Sequence, residues 1–500
     1  MTLTQLHTPV QAARWLHERV TGTLSADSRK TGKGDGFIAW PGAATDGRCH
    51  VNAALAAGAA ACLIEHSGVQ AFGFSGDRVA TYAGLKAVTG PIASLYFGAP
   101  ADRLQVAAVT GTNGKTSTAW WLAQALSRLG RQCGIVGTLG IGTPGAMVSN
   151  GLTTPDPVLL QQQLRRFVED GFSACVLEAS SIGLQERRLE GCRIQLAIFT
   201  NFTQDHLDYH ASMPVYWQAK KMLFTWPGLR ACILNLDDGK GRELNDALVD
   251  TAMDIWTFSS TGPARLAAEA ICQGAQGLSF QVVEGVERHA LDTSMVGLYN
   301  VSNLLGVIAS LRALGVPLAD ALTACTDLLP VPGRTETLTT AGLPMVVIDY
   351  AHTPDALEKV LAALQPVAHG RGGRLWCVFG CGGDRDASKR PQMAAIAEKN
   401  ADHLVLTSDN PRGEDPLAIL AQMRKGLARP QAIFLEPDRH AAIAHALECC
   451  QPQDVVLLAG KGHENYQEIK GVKQPFSDRE QAQAILNTLP TMGQPKAAAC

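Results

Sequence analysis

The sequence predicts an α/β fold in which mostly parallel sheets are covered by helices. From about residue 101 onward, short apolar runs alternate with helix-like stretches, and this alternation is typical of βαβ units. A glycine-rich turn at 111–116 separates one apolar run from the helix-like stretch that follows it. A chain of 500 residues has room for about three domains of ordinary size.

Three blocks divide the chain. Residues 1–100 contain glycine-rich turns and one apolar run, 52–64, which predicts a core helix followed by a strand. Residues 101–332 hold the first series of alternating strands and helices and end in a proline-glycine linker. Residues 333–500 resume the alternation and finish in a tail, 492–500, that we expect to fray. We therefore expect a smaller N-terminal α/β domain, a central parallel-sheet domain with a phosphate loop, and a Rossmann-like C-terminal domain.

Composition favours small-molecule partners. The 43 basic and 46 acidic residues give a net charge of −3 without long charge runs, so neither nucleic acid nor an anionic membrane is an expected partner. The 13 cysteines show no regular framework, and the N-terminus lacks the apolar core of a signal peptide. The run 52–64 is too short to cross a bilayer. These features predict a cytoplasmic protein without membrane insertion.

The glycine-rich turn predicts a phosphate-binding loop, because it follows the apolar run 104–110 and opens a helix that ends near Gly130. Backbone N–H groups at such a turn and at a helix N-terminus attract an anion, while lysine contacts the terminal phosphates and threonine reaches magnesium. We expect a nucleoside triphosphate ligand. The longer form of the pattern requires glycine where Val109 stands, so this is a shorter variant, and a glycine turn with a surface lysine is the alternative.

Acidic and histidine residues follow two further predicted strands of the central block. Glu178 ends the run 175–177, which brings its carboxylate to the same sheet edge as the phosphate loop and makes it a magnesium ligand or orienter. The run 196–199 leads into a segment containing His206 and His210. Their spacing permits a zinc site, but one histidine acting with other groups is the favoured interpretation.

Four short buried strands are predicted in the C-terminal block, each leading into a polar loop. They are 345–348, 374–379, 403–406 and 454–458. Ligands bind at the carboxyl ends of such strands, so these loops are expected to carry a second group of binding residues.

The order of these motifs resembles that of the Mur ligases over nearly the whole chain. The matching positions are Gly111–Thr116, Glu178, Asn201–His210, Asn300 with Asn303, Gly333–Glu336 and Asp349–Pro354. Segments 152–157, 380–386, 409–412 and 460–464 are similar to members of that family that add 2,6-diaminopimelate in peptidoglycan precursor synthesis.

The resemblance implies an ATP-dependent amide ligase, expected to be a monomer, with three small-molecule substrates. These are ATP, meso-2,6-diaminopimelate and UDP-N-acetylmuramoyl-L-alanyl-D-glutamate. The γ-phosphoryl group would pass to the D-glutamyl side-chain carboxylate, and the amine of the incoming amino acid would attack the acyl phosphate. Such a transfer requires positioning and charge neutralisation more than covalent protein chemistry. The three blocks would bind the UDP substrate, ATP and the amino acid, respectively.

The family's nucleotide and metal positions carry over residue by residue. The implied ATP-binding residues are Gly111, Thr112, Asn113, Gly114, Lys115, Thr116, Ser117, Asn300, Asn303, Arg334 and His352. The implied catalytic residues are Lys115, Glu178, His206, Lys220 and Asp349. Thr116 and Glu178 would bind one Mg²⁺ and His206 a second. The family's carbamylated lysine, an anionic metal-associated group, maps by spacing to Lys220, and Lys221 is its rival.

The substrate positions carry over in the same way. The implied UDP-substrate residues are Ser28, Thr153, Thr154, Ser180 and Arg188, and the implied diaminopimelate residues are Arg385, Asp409, Asn410, Pro411, Arg412, Gly460 and Glu464. Arg412 would pair with the second carboxylate of diaminopimelate, which lysine lacks, and Glu464 with an ammonium group. One departure is Ile182, since the family often has histidine there, and no role of that histidine transfers.

Two alternatives belong to other functions. A lysine-adding relative or a folylpolyglutamate synthetase would share the phosphate loop, but the segment 409–412 argues against the former and the segment 153–156 with Ser28 against the latter. A non-catalytic nucleotide-dependent interaction protein would be expected to lack Lys115, Glu178 or Lys220, and all three are present.

Overall fold

A computed structural model describes residues 3–42, 45–274 and 277–489; the predicted frayed tail, 492–500, lies outside the described residues. The N-terminal part forms a five-stranded parallel sheet in the order β1-β5-β4-β3-β2. Its strands are β1 Thr4–Leu6, β2 Leu24–Ser25, β3 Gly36–Ala39, β4 Ala61–Glu65 and β5 Val79–Tyr82. Its helices are α1 Pro9–His17, α2 Val51–Ala56 and α3 Leu85–Tyr96, with 3₁₀ turns at Gly47–His50, Val69–Phe72 and Pro100–Asp102. The run 52–64 forms most of α2 and β4, as predicted.

The central part is built on an eleven-stranded sheet. Its strands are β6 Gln105–Thr110, β7 Cys133–Gly137, β8 Gly140–Thr143, β9 Ala146–Val148, β10 Ala174–Glu178, β11 Leu196–Phe199, β12 Ala231–Asn235, β13 Asp254–Ser259, β14 Leu266–Gly274, β15 Gly277–Glu284 and β16 Glu287–Thr293. Its helices are α4 Lys115–Arg128, α5 Pro157–Glu169, α6 Ser181–Gln185, α7 Leu207–His210, α8 Met213–Lys221, α9 Gly239–Leu248, α10 Tyr299–Ala313 and α11 Leu318–Thr326, with a 3₁₀ turn at Met222–Thr225.

The middle of this sheet is parallel, and both of its edges are antiparallel. The strand order is β16-β15-β14-β13-β12-β11-β6-β10-β7-β8-β9, and β6 lies between β10 and β11. Buried clusters cover both faces, one including α4 and α10 and the other including α5 and α8. The hairpins β14–β16 and β7–β9 pair antiparallel. The helix-covered middle confirms the predicted α/β class, whereas the antiparallel edges are an addition that the sequence analysis missed.

The C-terminal part contains a six-stranded sheet and a separate hairpin. The strands are β17 Glu336–Leu338, β18 Met345–Asp349, β19 Leu375–Phe379, β20 His403–Leu406, β21 Phe434–Leu435 and β22 Val455–Ala459, and the hairpin is β23 Tyr466–Ile469 with β24 Val472–Pro475. The helices are α12 Pro354–Gly370, α13 Lys389–Asn400, α14 Pro416–Arg424, α15 Arg439–Cys449 and α16 Asp478–Leu486. The order β17-β18-β22-β19-β20-β21 is parallel except for β17. The four predicted strands of this block match β18, β19, β20 and β22 within a residue at each end.

The central part contacts both of the other parts, and polar side chains contribute at each boundary, for example Gln162 Nε2 donating to Thr23 Oγ1 at 2.8 Å on the N-terminal side. α3 of the N-terminal part approaches the central part at backbone distance, since a Cβ on Gly90 would stand 1.9 Å from the Glu190 carbonyl oxygen. The C-terminal part meets the central part through polar side chains, for example Asn113 Nδ2 donating to Asp355 Oδ2 at 2.8 Å. Among the described residues, no helix combines the length and apolar character that a membrane crossing requires.

Candidate active site

The phosphate loop lies where the sequence predicts it, between β6 and α4. Gly114 has φ of +84°, a backbone conformation that residues other than glycine rarely adopt. A Cβ at Gly114 would stand 2.4 Å from Asn303 Oδ1, so the loop and α10 are in close contact. The helix begins at Lys115, and its first N–H groups therefore point toward the loop, as an anion site requires.

A cavity of 420 Å³ opens at this loop. Many of the predicted residues line it: Thr112, Asn113, Gly114, Lys115, Thr116, Ser117, Thr153, Glu178, Ser180, His206, Asn300, Asn303, Arg334, Asp349 and His352. Lys220 is not on its wall but is buried behind the loop. The residues predicted for the incoming amino acid form a second cluster on the C-terminal sheet.

Two lysines converge on one carbonyl oxygen behind the loop. Lys115 Nζ donates to the Gly111 carbonyl at 2.9 Å, and Lys220 Nζ donates to the same oxygen at 2.7 Å. Burial lowers the pKa of both amines, and the Lys115 charge lowers the pKa of Lys220 further. Lys220 is 1% exposed, whereas Lys221 is only partly buried. The structure therefore gives Lys220 the buried location beside the loop.

Glu178 provides oxygen ligands directly beneath the phosphate loop. Its Oε2 accepts from Thr116 Oγ1 at 3.0 Å, and its Oε1 accepts from the Thr138 backbone N–H at 2.8 Å. A carboxylate touching a hydroxyl at the edge of a phosphate site is a donor set that fits Mg²⁺, which takes few protein ligands and completes its shell with phosphate and water. The described part of the chain contains no cluster of three His, Cys, Asp or Glu side chains arranged for a metal.

His206 belongs to a polar group that spans the central and C-terminal parts. Asp205 is buried, and its carboxylate lies 3.5 Å from His206 Nε2, 3.9 Å from His352 Nε2 and 3.6 Å from Lys389 Nζ. Burial lowers the pKa of both histidines to about 4, so both are neutral at pH 7 and have lone pairs available. His210 instead bonds through Nε2 to Ser181 Oγ at 2.9 Å, an arrangement that does not favour the His206–His210 zinc pair.

Arg334 extends from the linker into the cavity. Its Nη2 donates to Thr116 Oγ1 at 3.2 Å, and its guanidinium lies 4.4 Å from the centre of the Tyr350 ring. Asp349 fixes the turn beside it, since Oδ2 accepts from the Thr335 N–H at 2.7 Å, and burial raises the pKa of Asp349. The structure thus joins Arg334 to Thr116, the threonine predicted to bind Mg²⁺, and gives Asp349 a role in shaping the linker.

The side chains of Asn300 and Asn303 are linked by a hydrogen bond on α10. Asn303 Nδ2 donates to Asn300 Oδ1 at 2.9 Å, and Asn300 Nδ2 donates to the Val296 carbonyl at 2.8 Å. Both line the cavity beside the phosphate loop, the region where the resemblance implies the nucleotide base.

Most residues predicted for the muramoyl substrate are hydrogen-bonded around Glu178. Thr154 Oγ1 donates to the Glu178 carbonyl at 2.7 Å and lies 3.0 Å from Ser180 Oγ. Arg188 Nη1 donates to the Thr154 carbonyl at 2.9 Å, and Thr153 Oγ1 bonds the Thr138 hydroxyl at 3.0 Å. Ser28, in the turn between β2 and β3, does not line this cavity.

The predicted amino-acid residues meet at the carboxyl ends of β20 and β22. Asn410 Nδ2 donates to Glu464 Oε2 at 2.8 Å, and Lys461 Nζ bridges Asn410 Oδ1 and Glu464 Oε2 at 3.2 and 3.1 Å. A Cβ on Gly460 would stand 2.4 Å from Asp409 Oδ2. Burial raises the pKa of Glu464, and the neighbouring Asp409 carboxylate adds to that shift. Asn410 therefore connects the two loops, and Glu464 pairs with the buried Lys461 ammonium while the Asp409 carboxylate lies near enough to raise the pKa of Glu464 further.

Two arginines border this second cluster. Arg412, which follows Pro411, has φ of +51° and donates through Nη1 to the Gly383 carbonyl at 2.8 Å. Arg385 is 53% exposed and lies 3.8 Å from the Asp208 carboxylate of the central part. Both guanidinium groups have further N–H donors for a carboxylate ligand.

Sequence analysis missed several polar residues of these sites. Thr138, Lys389 and Lys461 had no assigned role, and Asp205 and Tyr350 fell within quoted motifs without one. Tyr350 lines the nucleotide cavity, and its Cβ lies 2.7 Å from where a Cβ on Gly462 would stand. It therefore connects the two clusters. The places of these five residues in the sites depend on contacts between segments that are distant in sequence, and residue spacing does not encode such contacts.

A phosphate loop, a sheet-edge glutamate and a second strand-end site define a nucleotide-dependent ligase. Comparison with known proteins agrees: the Mur ligase middle domain matches residues 109–311, and the Mur ligase glutamate ligase domain matches residues 333–462. The chain belongs to the Mur ligase family.

Curated relatives match over nearly the full length. The chain is 58% identical to UDP-N-acetylmuramoyl-L-alanyl-D-glutamate–2,6-diaminopimelate ligase of Acidovorax sp. (strain JS42), covering 97% of this chain and 98% of that protein. It is 46% identical to the protein of the same name from Pseudomonas aeruginosa, covering 93% and 94%.

Solved structures agree on the fold. A structure with that same protein name has a TM-score of 0.64 at 35% identity, covering 93% of this chain and 94% of the other. The MurF ligase of Thermotoga maritima in complex with ADP has a TM-score of 0.67 at 17% identity, covering 94% and 97%. At that identity the likeness shows the fold alone.

Proposed function

We propose that this protein is an ATP-dependent ligase that joins meso-2,6-diaminopimelate to UDP-N-acetylmuramoyl-L-alanyl-D-glutamate. The observation that carries the proposal is the adjacency of the two clusters through Tyr350, one with a phosphate loop and the other with paired carboxylates and Arg412. The names of relatives up to 58% identical support the same substrates.

The proposed reaction has two steps. The γ-phosphoryl group of ATP is transferred to the D-glutamyl side-chain carboxylate, and the amine of diaminopimelate then displaces phosphate to form the amide. Lys115 and Arg334 supply positive charge where the transferring group develops negative charge. Thr116 and Glu178 would hold Mg²⁺, which neutralises the phosphate oxygens when bound.

Lys220 is proposed as the carbamylated residue. Carbamylation requires the neutral amine, and burial beside Lys115 lowers the pKa of Lys220 toward that form. The product is an anion, so it would replace the repulsion between the two amines by attraction to Lys115. Lys221, partly buried at the end of α8, offers no comparable environment.

In the proposed arrangement, residues 1–100 bind the UDP moiety, 101–332 bind ATP and 333–500 bind the amino acid. Arg412 would pair with the distal carboxylate of diaminopimelate, and Asp409 with Glu464 would face its ammonium group. The enzyme would work in the cytoplasm as a monomer, where its three small-molecule substrates are available.

Phosphate release tests the proposal. The purified protein is incubated with ATP, Mg²⁺ and the muramoyl dipeptide together with diaminopimelate, lysine, glutamate or no amino acid. Release that depends on diaminopimelate is expected, with Lys115→Ala as the inactive control. Equal release with lysine would indicate a lysine-adding enzyme. Release only in a parallel incubation, with glutamate and with a folate in place of the muramoyl dipeptide, would indicate a folylpolyglutamate synthetase.

A further inference from the structure

A buried ion pair lies beneath the amino-acid cluster. Arg439 is the first residue of α15 and Asp478 the first residue of α16. Arg439 Nε and Nη2 donate to the two carboxylate oxygens of Asp478 at 2.7 and 2.6 Å. Both side chains are 0% exposed, so the pair is bidentate and excluded from water.

The other donors of Arg439 reach the ends of two strands. Nη1 donates to the Ser408 carbonyl at 3.1 Å, and Nη2 donates to the Ala459 carbonyl at 3.0 Å. These residues directly precede Asp409 and Gly460. Because β19 lies between β20 and β22, one guanidinium connects the ends of strands that are not neighbours.

The loops that follow these carbonyls pack with little free space. A Cβ on Gly380, at the end of β19, would stand 2.6 Å from the Asp409 N–H nitrogen, and one on Gly460 would stand 2.4 Å from Asp409 Oδ2. A change in the spacing of the strand ends would therefore be transmitted to the Asp409 carboxylate.

Stability alone is a weak explanation for this pair. A buried ion pair often contributes no more to folding than well-packed apolar residues of the same volume. A cation at the first position of a helix also opposes the helix dipole, which favours the anion Asp478 at the start of α16 but not Arg439 at the start of α15. The specific consequence of Arg439 is the pair of hydrogen bonds to Ser408 and Ala459.

We propose that Arg439 is a positioning residue for the amino-acid site, an inference that rests on the function proposed above. By holding the Ser408 and Ala459 carbonyls, it sets the distance between the loop that carries Asp409 and the loop that carries Glu464. That distance determines how well the carboxylate pair fits the ammonium group of the incoming diamino acid.

Three variants separate positioning from stability. The double variant Arg439→Met/Asp478→Leu removes both charges together, so no unpaired charge stays buried. Arg439→Lys keeps the charge but, with a single nitrogen, cannot retain all four hydrogen bonds. The control is Asp454→Asn. Asp454 directly precedes β22, at the amino ends of the strands of the same sheet, and its buried carboxylate accepts from the Arg374 and Gln451 N–H groups at 2.8 Å each.

The Michaelis constants of all three substrates are measured for each variant, with unfolding followed in parallel. The double variant should raise the constant for diaminopimelate by on the order of 10- to 100-fold, as expected for misplaced binding groups, and leave those for ATP and the muramoyl dipeptide unchanged. Arg439→Lys should give a smaller rise in the same constant. Asp454→Asn should lower stability and change none of the three.

An unchanged constant for diaminopimelate in the double variant would overturn the proposal. So would equal rises for all three substrates, or the same rise in Asp454→Asn, because either result describes a general loss of structure. If the double variant does not fold, Arg439→Lys decides by the same criteria. Absence of diaminopimelate-dependent phosphate release in the unmodified protein would instead contradict the proposed function.

Discussion

The Gly111 carbonyl oxygen accepts hydrogen bonds from two lysines. Two ammonium groups on one acceptor repel each other, and this repulsion adds to burial in lowering the pKa of Lys220. The arrangement supports the proposal that Lys220, rather than its neighbour Lys221, reacts with carbon dioxide. Because the two amines are this close, removing the charge of Lys115 should raise the pKa of Lys220.

Lys220→Ala should abolish most phosphate release, and a small carboxylate such as acetate should restore part of it by occupying the space of the missing anion. Lys220→Arg should not be rescued, because a fixed cation would remain beside Lys115. Lys221→Ala is the matched control and should retain activity. Full activity of Lys220→Ala without additive, or rescue at Lys221 instead, would contradict the assignment.

Lys115→Ala should reduce turnover by about a hundred- to a thousandfold, the usual effect of removing one transition-state charge contact. Its Nζ donates to two carbonyls of the loop itself, those of Gly111 and Thr112, so the thermal unfolding midpoint should change little. The comparison requires steady-state phosphate release and thermal unfolding on the same preparation. Near-normal release would mean that the loop does not bind the reacting nucleotide.

His463 should make stability depend on pH. Burial lowers its pKa to about 4, with Arg334 and Lys461 contributing, whereas the unfolded value is about 6.5. Between these values the unfolded chain binds the extra proton, so stability rises with pH across that window and falls on acidification. The free energy of unfolding of wild type relative to His463→Asn should therefore decrease from pH 6.5 to 4. A difference in the free energy of unfolding that does not change with pH would show that the pKa of His463 is not lowered in the folded protein.

At the scale of elements, buried parallel strands were the most predictable features. β11 and β20 match their predicted bounds, because a short apolar run between polar loops has few other interpretations. The antiparallel β14–β16 was missed, since its exposed face carries polar residues such as Glu269 and Gln281 that break up the apolar signal.

The binding residues were predictable only where they follow a strand end in a recognisable motif. Thr116 and Glu178 are 62 residues apart in sequence, and their contact at 3.0 Å follows from β6 and β10 being neighbours. Arg439 begins a helix that carries no motif. Its contacts with Ser408 and Ala459 arise from tertiary packing, so residue types and spacing gave no indication of them.

The loop after β20 should control the choice of amino acid. Arg412→Ala should raise the Michaelis constant for diaminopimelate steeply, leave that for ATP unchanged, and reduce the preference over lysine. A site built around a polar partner can reject an analogue without it by ~10⁴. Competition between the two amino acids measures the preference directly. Equal use of lysine and diaminopimelate by the unmodified protein would refute this specificity.

At the scale of the whole molecule, we expect the central and C-terminal parts to close when the substrates bind, with the linker between their sheets as the hinge. Gly333 has φ of +66°, and a Cβ there would stand 2.1 Å from the His463 N–H nitrogen. Gly333→Ala should cost about 1–3 kcal/mol through backbone strain alone and lower turnover by displacing Arg334. Leu329→Ala, at an exposed linker side chain, is the control. Unchanged turnover and unfolding in Gly333→Ala would exclude a hinge at this residue.

The close approach of Gly90 to the Glu190 carbonyl has a consequence for inhibitor design. The close backbone approach at Gly90 resists sliding of α3 along the central part at that point, whereas a side-chain contact such as that of Asn113 with Asp355 can break and re-form. A compound anchored across the first boundary would meet a surface of constant shape. If the contacts at the second boundary rearrange when nucleotide binds, a compound anchored there would bind with an affinity that changes with the nucleotide present.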